Sequence, residues 1–252
     1  MLFTYKLIKN KNITDDIRIM QFAPKNKAIS FIAGQYTEVL LEKNNTLPFS
    51  IANLPNEEGI IELHIRHRTI DSHITKLLEN INQTKTISIT EGKGKNTISS
   101  TALLNSNNLL FIAGGTGYSQ IGVLLEDLIE KTKYSNEIEN NLKNIQIKFY
   151  WGVKKIEDLY LKDRLKNILK KLPDLTFIPV ISNKLDEESE NRINKTYPNY
   201  KTGLVINVVS ENELDLTNTI VFNSGPYPMV QDALIKLKDN QLSLENFHCD
   251  MA

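Results

Sequence analysis

The chain has 252 residues, 40% of them hydrophobic, and its 30 Lys plus Arg are balanced by 30 Asp plus Glu. At roughly 100–200 residues per domain that length makes one large or two medium domains, and zero net charge excludes an electrostatic footprint for nucleic acid or an anionic membrane. A single cysteine, Cys249, excludes an intrachain disulfide framework and an all-cysteine iron–sulfur cluster.

The N-terminal run Met1–Lys6 alternates like a strand and lacks the apolar stretch of a signal peptide. No segment reaches the roughly 18 apolar residues that membrane insertion needs. With so little cysteine the expected location is cytoplasmic. Through residue 99 the pattern is of short strands. Ile61, Leu63 and Ile65 alternate with Glu62, His64 and Arg66, and Ile87 and Ile89 alternate with Thr86, Ser88 and Thr90. Turn signals fall at 24–26, 42–45, 55–59 and 91–94. One helix starts near Asp71 or Ser72, either a good N-cap, and carries Ile74, Leu77, Leu78 and Ile81 at helical spacing. Many short strands with regular turns predict a small antiparallel barrel.

Residues 100–108 read as a connection. After them, Leu109–Ala113 is a continuous apolar run, the mark of a buried parallel strand. A helix follows with Ile121, Leu124, Leu125, Leu128 and Ile129 on one face. Ile145–Tyr150 is the next strand, and its helix carries Leu161, Leu165, Ile168, Leu169 and Leu172. Leu175–Ile181 and Thr219–Asn223 are further strands, and the last helix carries Val230, Leu234 and Leu237. The polar segment Asn183–Lys201 reads as a long surface loop. Strands alternating with helices define an α/β domain with a parallel sheet.

Three short stretches carry chemistry. Gly114-Gly115-Thr116-Gly117 lies directly between a buried strand and a helix. Glycines there allow a tight turn and a close ligand, and the helix start offers free N–H groups and a positive dipole end to a pyrophosphate. The spacing is neither the six-residue dinucleotide fingerprint nor a Walker loop. The bland alternative is a strand–helix turn without a ligand. Ser224-Gly225-Pro226 ends a second strand of the same sheet, where open α/β sheets bind ligands. In the first half, Pro48-Phe49-Ser50 sets a hydroxyl beside an aromatic ring, suited to a flat ligand, or makes an ordinary edge strand with a buried Phe. His64, His67 and His73 gather near Arg66 and Arg68, but His64 and His67 differ by three on a strand and face opposite ways, so no metal site is expected. Lys154, Lys155 and Lys184 follow strand ends, where they meet a 2′-phosphate or only solvent. The choice between NADH and NADPH stays open.

Taken in this order, with Phe111–Gly117 and Phe149–Val153 its most specific parts, the chain resembles the ferredoxin–NADP reductase superfamily, in its small NAD(P)H:flavin reductase branch without a ferredoxin domain. The resemblance covers nearly the whole chain. It implies a flavin-binding antiparallel Greek-key β-barrel over 1–99, a linker over 100–108 and an NAD(P)-binding α/β domain with a parallel sheet over 109–252. It implies that Phe49 lies against the flavin, that Ser50 hydrogen-bonds near flavin N5, and that Pro48 and the backbone of His64, Ile65 and Arg66 complete that site. Gly114, Gly115, Thr116 and Gly117 would hold NADH or NADPH, and Ser224, Gly225 and Pro226 would place its ring, with Ser50 and Ser224 nearest the reacting atoms. The flavin would be FAD, FMN or riboflavin. The family usually carries Arg two positions before the aromatic residue, to pair with a flavin phosphate; here that residue is Leu47, with Arg66 or Arg68 as possible substitutes. The Cys common before Gly-Pro is Ser224. The implied function is hydride transfer from NAD(P)H to a loosely bound or diffusing flavin. The alternatives are an FAD-bound reductase passing electrons to a protein partner such as an oxygenase component, and a non-catalytic binding subunit.

Overall fold

The computed structural model describes residues 1–42, 45–68, 71–104 and 106–250, with the side chains of 101 and 102 also outside the description. Contacts divide the chain into two compact units, Met1–Thr97 and Ile98 onward.

The first unit contains β1 (Phe3–Asn12), β2 (Ile17–Pro24), β3 (Tyr36–Glu42), β4 (Asn45–Ser50), β5 (Ile61–Arg66), α1 (Ser72–Thr84) and β6 (Thr86–Ile89). The strands form one antiparallel sheet in the order β4-β3-β6-β1-β2-β5. Its two edges are joined where Ala52 N donates to Glu62 O at 2.7 Å and Glu62 N donates to Asn53 Oδ1 at 2.6 Å. The sheet is thereby closed into a barrel. β3, β4 and β5 follow one another and β6 returns beside β3, which is the Greek-key connection. Alternation decides the lining: Phe3 and Tyr5, Met20 and Phe22, and Ile61, Leu63 and Ile65 point into one shared core. Tyr5 keeps its buried hydroxyl satisfied by accepting from Ile29 N at 2.9 Å. α1 begins where Asp71 accepts from Ile74 N, a cap contributing about 0.5–2 kcal/mol, and it buries Ile74, Leu77, Leu78 and Ile81 against the same core. The expected turn at 42–45 includes Lys43 and Asn44, which lie outside the described residues.

The second unit runs α2 (Ser100–Leu104), β7 (Asn108–Gly114), α3 (Tyr118–Tyr134), α4 (Asn136–Leu142), β8 (Gln146–Val153), α5 (Lys162–Lys171), β9 (Leu175–Ile181), α6 (Glu187–Thr196), β10 (Lys201–Thr202), α7 (Val205–Asn212), β11 (Thr219–Ser224), α8 (Tyr227–Asp239) and β12 (Phe247–Cys249). All six strands are parallel, in the order β10-β9-β8-β7-β11-β12. β7 is buried at every residue but its first, and β8 at five of its eight, because helices cover both faces. Leu110, Ile112, Tyr150 and Val221 pack with Val205, Val209, Ala233 and Leu237 of α7 and α8. The alternate residues of those strands, Phe111, Phe149 and Trp151, are buried too, and Tyr118 of α3 stacks on the latter two. From β7 the chain builds outward through β8, β9 and β10, then returns to add β11 and β12 on the other side of β7. Strand order therefore reverses between β7 and β11, and open α/β sheets bind ligands beyond the carboxyl ends of strands at such a point.

Two readings of the sequence need correction. The segment 183–201 is not a plain loop, since α6 occupies its middle. Asp186 caps that helix by accepting from Ser189 N, acidic residues fill its first turn, and Ile193 is its one buried anchor. With a single apolar contact, no helical stripe was visible. The connection 100–108 also holds structure: α2 lies in it, Leu103 is buried, and β7 already starts at Asn108. Asn105 of that connection lies outside the described residues.

Candidate functional site

The first unit offers a seam. β4 pairs only with β3, setting Ser50 beside Tyr36 and Phe49 beside Thr37, while β5 pairs only with β2, setting Arg66 beside Ile17 and His64 beside Ile19. The Ala52–Glu62 bond closes the barrel at one level. Continuing that antiparallel register would set Ser50 opposite His64 and Pro48 opposite Arg66, but no ladder forms there. Strand edges that are close and unpaired leave backbone donors and acceptors for something else to satisfy.

The side chains along the seam divide by face. Leu47 and Phe49 are partly buried and pack against the barrel core. Pro48 is exposed and Ser50 half-exposed. No side-chain hydrogen bond among the described residues uses Ser50 Oγ. Ile65 is fully committed to the core. The His64 side chain is wholly buried, with Nε2 at 3.0 Å from Glu62 Oε1, and Glu62 Oε2 accepts from Gln21 Nε2 at 2.8 Å. His67 faces away from it, its Nε2 3.0 Å from Thr75 Oγ1. Arg66 Nε stands 3.0 Å from Asp16 Oδ2, an ion pair without hydrogen-bond alignment. These residues fit a flat aromatic ligand: a part-exposed ring, a hydroxyl with no hydrogen-bond partner among the described residues and an open strand edge lie along this seam.

The second unit offers a turn at the switch point. Gly115 takes φ +55°, the left-handed region that glycine enters without strain. Its neighbours are glycine for another reason, the close approach of β7 to β11. A Cβ on Gly117 would lie 2.1 Å from Ser224 O. One on Gly114 would lie 2.4 Å from Met229 Sδ, and one on Gly225 would lie 2.6 Å from Met229 Cε and 3.1 Å from Gly114 Cα. The two strand ends that sequence singled out are therefore in contact, Ala113 beside Ser224 in register. α3 leaves the turn with its first amides, and a helix start is a ready anion site. Thr116 is half-exposed, Ser224 nearly buried and Pro226 exposed. The glycines hold two strand ends and a helix start at one place, and the turn presents the first amides of α3, groups that suit a nucleotide pyrophosphate.

Sequence reasoning missed several partners of this turn. Trp151 Nε1 donates to Gly115 O at 2.9 Å, and its ring lies parallel to Tyr118 with centroids 4.1 Å apart. Tyr118 is fully buried and its hydroxyl has no hydrogen-bond partner among the described residues, so burial above all pushes its pKa up. Gln120 in the first turn of α3 donates to Asp250 Oδ2 at 2.7 Å, tying down the residue after β12. β12 runs beside β11, with Cys249 next to Asn223 and His248 stacked on Phe222. Burial holds the His248 pKa below its ordinary value and raises that of Cys249. The strand is too short to read from its own residues, and the indole bond joins positions far apart in the chain.

A closed antiparallel barrel followed by a parallel sheet with a glycine turn at its switch point defines a class, the two-domain flavin- and nicotinamide-dependent oxidoreductases. Residues 4–98 match the family described as oxidoreductase FAD-binding domain, and residues 111–234 match the oxidoreductase NAD-binding domain. The chain is 31% identical over 244 residues to a probable flavin reductase of Photobacterium leiognathi, covering 94% of each chain. It is 30% identical over 206 residues to an NAD(P)H-flavin reductase of Aliivibrio fischeri, covering 80% of this chain and 77% of that one. The structure of a ferredoxin NADP+ reductase from Neisseria gonorrhoeae, with bound FAD and NADP, superposes with a TM-score of 0.70 at 16% identity, over 96% of this chain and 93% of that one. The chain belongs to the flavin reductase branch of the ferredoxin–NADP reductase superfamily. Among the described residues, no helix is long and apolar enough to cross a membrane.

Proposed function

We propose that this chain is an NAD(P)H:flavin oxidoreductase that seats the flavin ring along the β4–β5 seam and treats the flavin as an exchanging substrate. The observation that carries this reading is the seam itself, with Ser50 Oγ unpartnered on one unpaired edge and the backbone of His64–Arg66 on the other. Ser50 donates a hydrogen bond near flavin N5, Phe49 offers the exposed part of its ring, and the barrel core holds that ring still. The turn Gly114–Gly117 holds the nucleotide through the first amides of α3, and Ser224-Gly225-Pro226 bounds the nicotinamide end. The nicotinamide supplies a hydride and the flavin accepts it at N5. The protein's part is to bind both donor and acceptor, which lowers the entropy cost of their encounter. Exchange of the flavin is favoured because the phosphate-binding arginine is missing. Leu47 packs on the core instead, and Arg66 stands beside Asp16. Electrons then leave with the released flavin in cytoplasm, not through a docked protein.

Gel filtration followed by turnover tests this. The purified protein is expected to be colourless and to oxidise NAD(P)H with added riboflavin as well as with FMN. Leu47→Arg is expected to tighten FMN about tenfold, the gain of one charge-assisted hydrogen bond, and to leave riboflavin, which has no phosphate, unaffected. Stoichiometric FAD retained through the column would sink the exchange reading. Turnover that requires an added protein acceptor would sink the free-flavin route.

A further inference from the structure

The structure assigns to Trp151 the role of a positioning residue that sets the nucleotide-binding turn, a role resting on the reading that Gly114–Gly117 holds the nicotinamide nucleotide. Gly115 O is the pivot of that turn. It receives the backbone N–H of Tyr118, which fixes where α3 starts, and the indole N–H of Trp151 at 2.9 Å. A glycine at φ +55° has no side chain to hold its peptide plane, and glycine is the residue with most backbone freedom to lose. The indole supplies the constraint from outside the turn. Trp151 itself cannot rotate, being fully buried, stacked on Tyr118 at 16° and met edge-on by Tyr160 at 5.5 Å. Tyr118 is the first residue of α3, so one side chain fixes both the carbonyl of the turn and the first residue of the helix whose amides face the ligand. β8 carries Trp151 to this place because it lies directly beside β7, with Trp151 paired to Ala113 and Gly152 to Gly114.

Trp151→Phe tests the role, since it keeps a stacking ring and removes the N–H donor. The expected result is a rise of about five- to tenfold in KM for NAD(P)H, the size set by one lost neutral hydrogen bond, with KM for flavin unchanged; the volume lost at this fully buried position lowers the thermal midpoint whatever the role. A structural role alone would move both KM values together. Nucleotide KM within twofold of wild type in a stably folded Trp151→Phe would overturn the proposal. Gly115→Ala separates this from the underlying reading. If it leaves nucleotide binding intact, the turn is not the nucleotide site. If it weakens binding while Trp151→Phe does not, the turn stands and the clamp falls. Trp151 is the chain's one tryptophan, so a nitrogen-15 spectrum holds a single indole N–H signal. In wild-type protein that signal is expected to move, and its hydrogen exchange to slow, on adding NADP+ or NAD+. A signal unmoved at a saturation verified by calorimetry would also overturn the proposal, even if Trp151→Phe fails to fold.

Discussion

The candidate site of each unit is built on a different plan. On the nucleotide side the backbone is over-determined: Gly117 against Ser224 O, Gly114 and Gly225 against Met229 and each other, and Gly115 O against the indole of Trp151. On the proposed flavin side the backbone is an ordinary edge strand, and the proposed chemistry rests on one part-exposed ring and one hydroxyl without a hydrogen bond among the described residues. The difference teaches where each half is vulnerable. A methyl group added at Gly117 meets backbone, whereas the single oxygen removed in Ser50→Ala leaves the strand standing and takes away the proposed hydrogen bond.

Gly117→Ala should give the largest effect. Its Cβ would sit 2.1 Å from a main-chain carbonyl that cannot swing aside. The expected cost is about 1–3 kcal/mol of stability. A fall of about 100-fold in kcat/KM for NAD(P)H is also expected, ~2.7 kcal/mol of lost transition-state binding. Thermal unfolding and steady-state rates measure both. A variant with a wild-type midpoint and wild-type nucleotide kinetics would break the comparison, since the close approach would then carry no constraint.

Ser50→Ala should act next, and differently. Removing a hydrogen bond at the reacting atoms is expected to slow single-turnover flavin reduction about ten- to hundredfold, toward the low end of what one lost transition-state donor costs. Nucleotide affinity and unfolding should not change, because Ser50 Oγ joins no protein hydrogen bond. Stopped-flow traces with an unchanged rate would remove Ser50 from the mechanism and leave the seam as a binding surface only.

The same contrast explains what the sequence made legible. Strand–helix alternation, both glycine-bearing strand ends and the barrel half were all readable, because period and glycine placement are local signals. The reason for each glycine was not. The sequence suggests that they make room for a ligand, while Gly117 and Gly225 make room for the neighbouring strand end. Long-range partners were equally hidden: Met229 lies far from Gly114 in the chain, and Trp151 lies on a different strand from the turn it holds. α6 escaped because its charges outnumber its single anchor Ile193, and His64 falls on the polar side of the alternation in β5 although its side chain is wholly buried beside Glu62.

The smallest expected effect lies at the edge of the nucleotide side, in β12. His248 stacks on Phe222, and burial depresses its pKa from the ordinary 6.5. The unfolded chain therefore binds a proton before the folded one does. The stability this histidine contributes is fully present above about pH 6.5 and is lost as pH falls through the folded-state value. His248→Phe keeps the stack and has no proton to bind, so its midpoint should fall less than that of wild type between pH 7 and pH 5. Because Gln120 ties Asp250 to the first turn of α3, loosening of β12 in acid should also weaken nucleotide binding more in wild type than in His248→Phe. Identical acid sensitivity in the two proteins would show that β12 docks independently of this histidine and that the rigidity of the nucleotide side stops at β11.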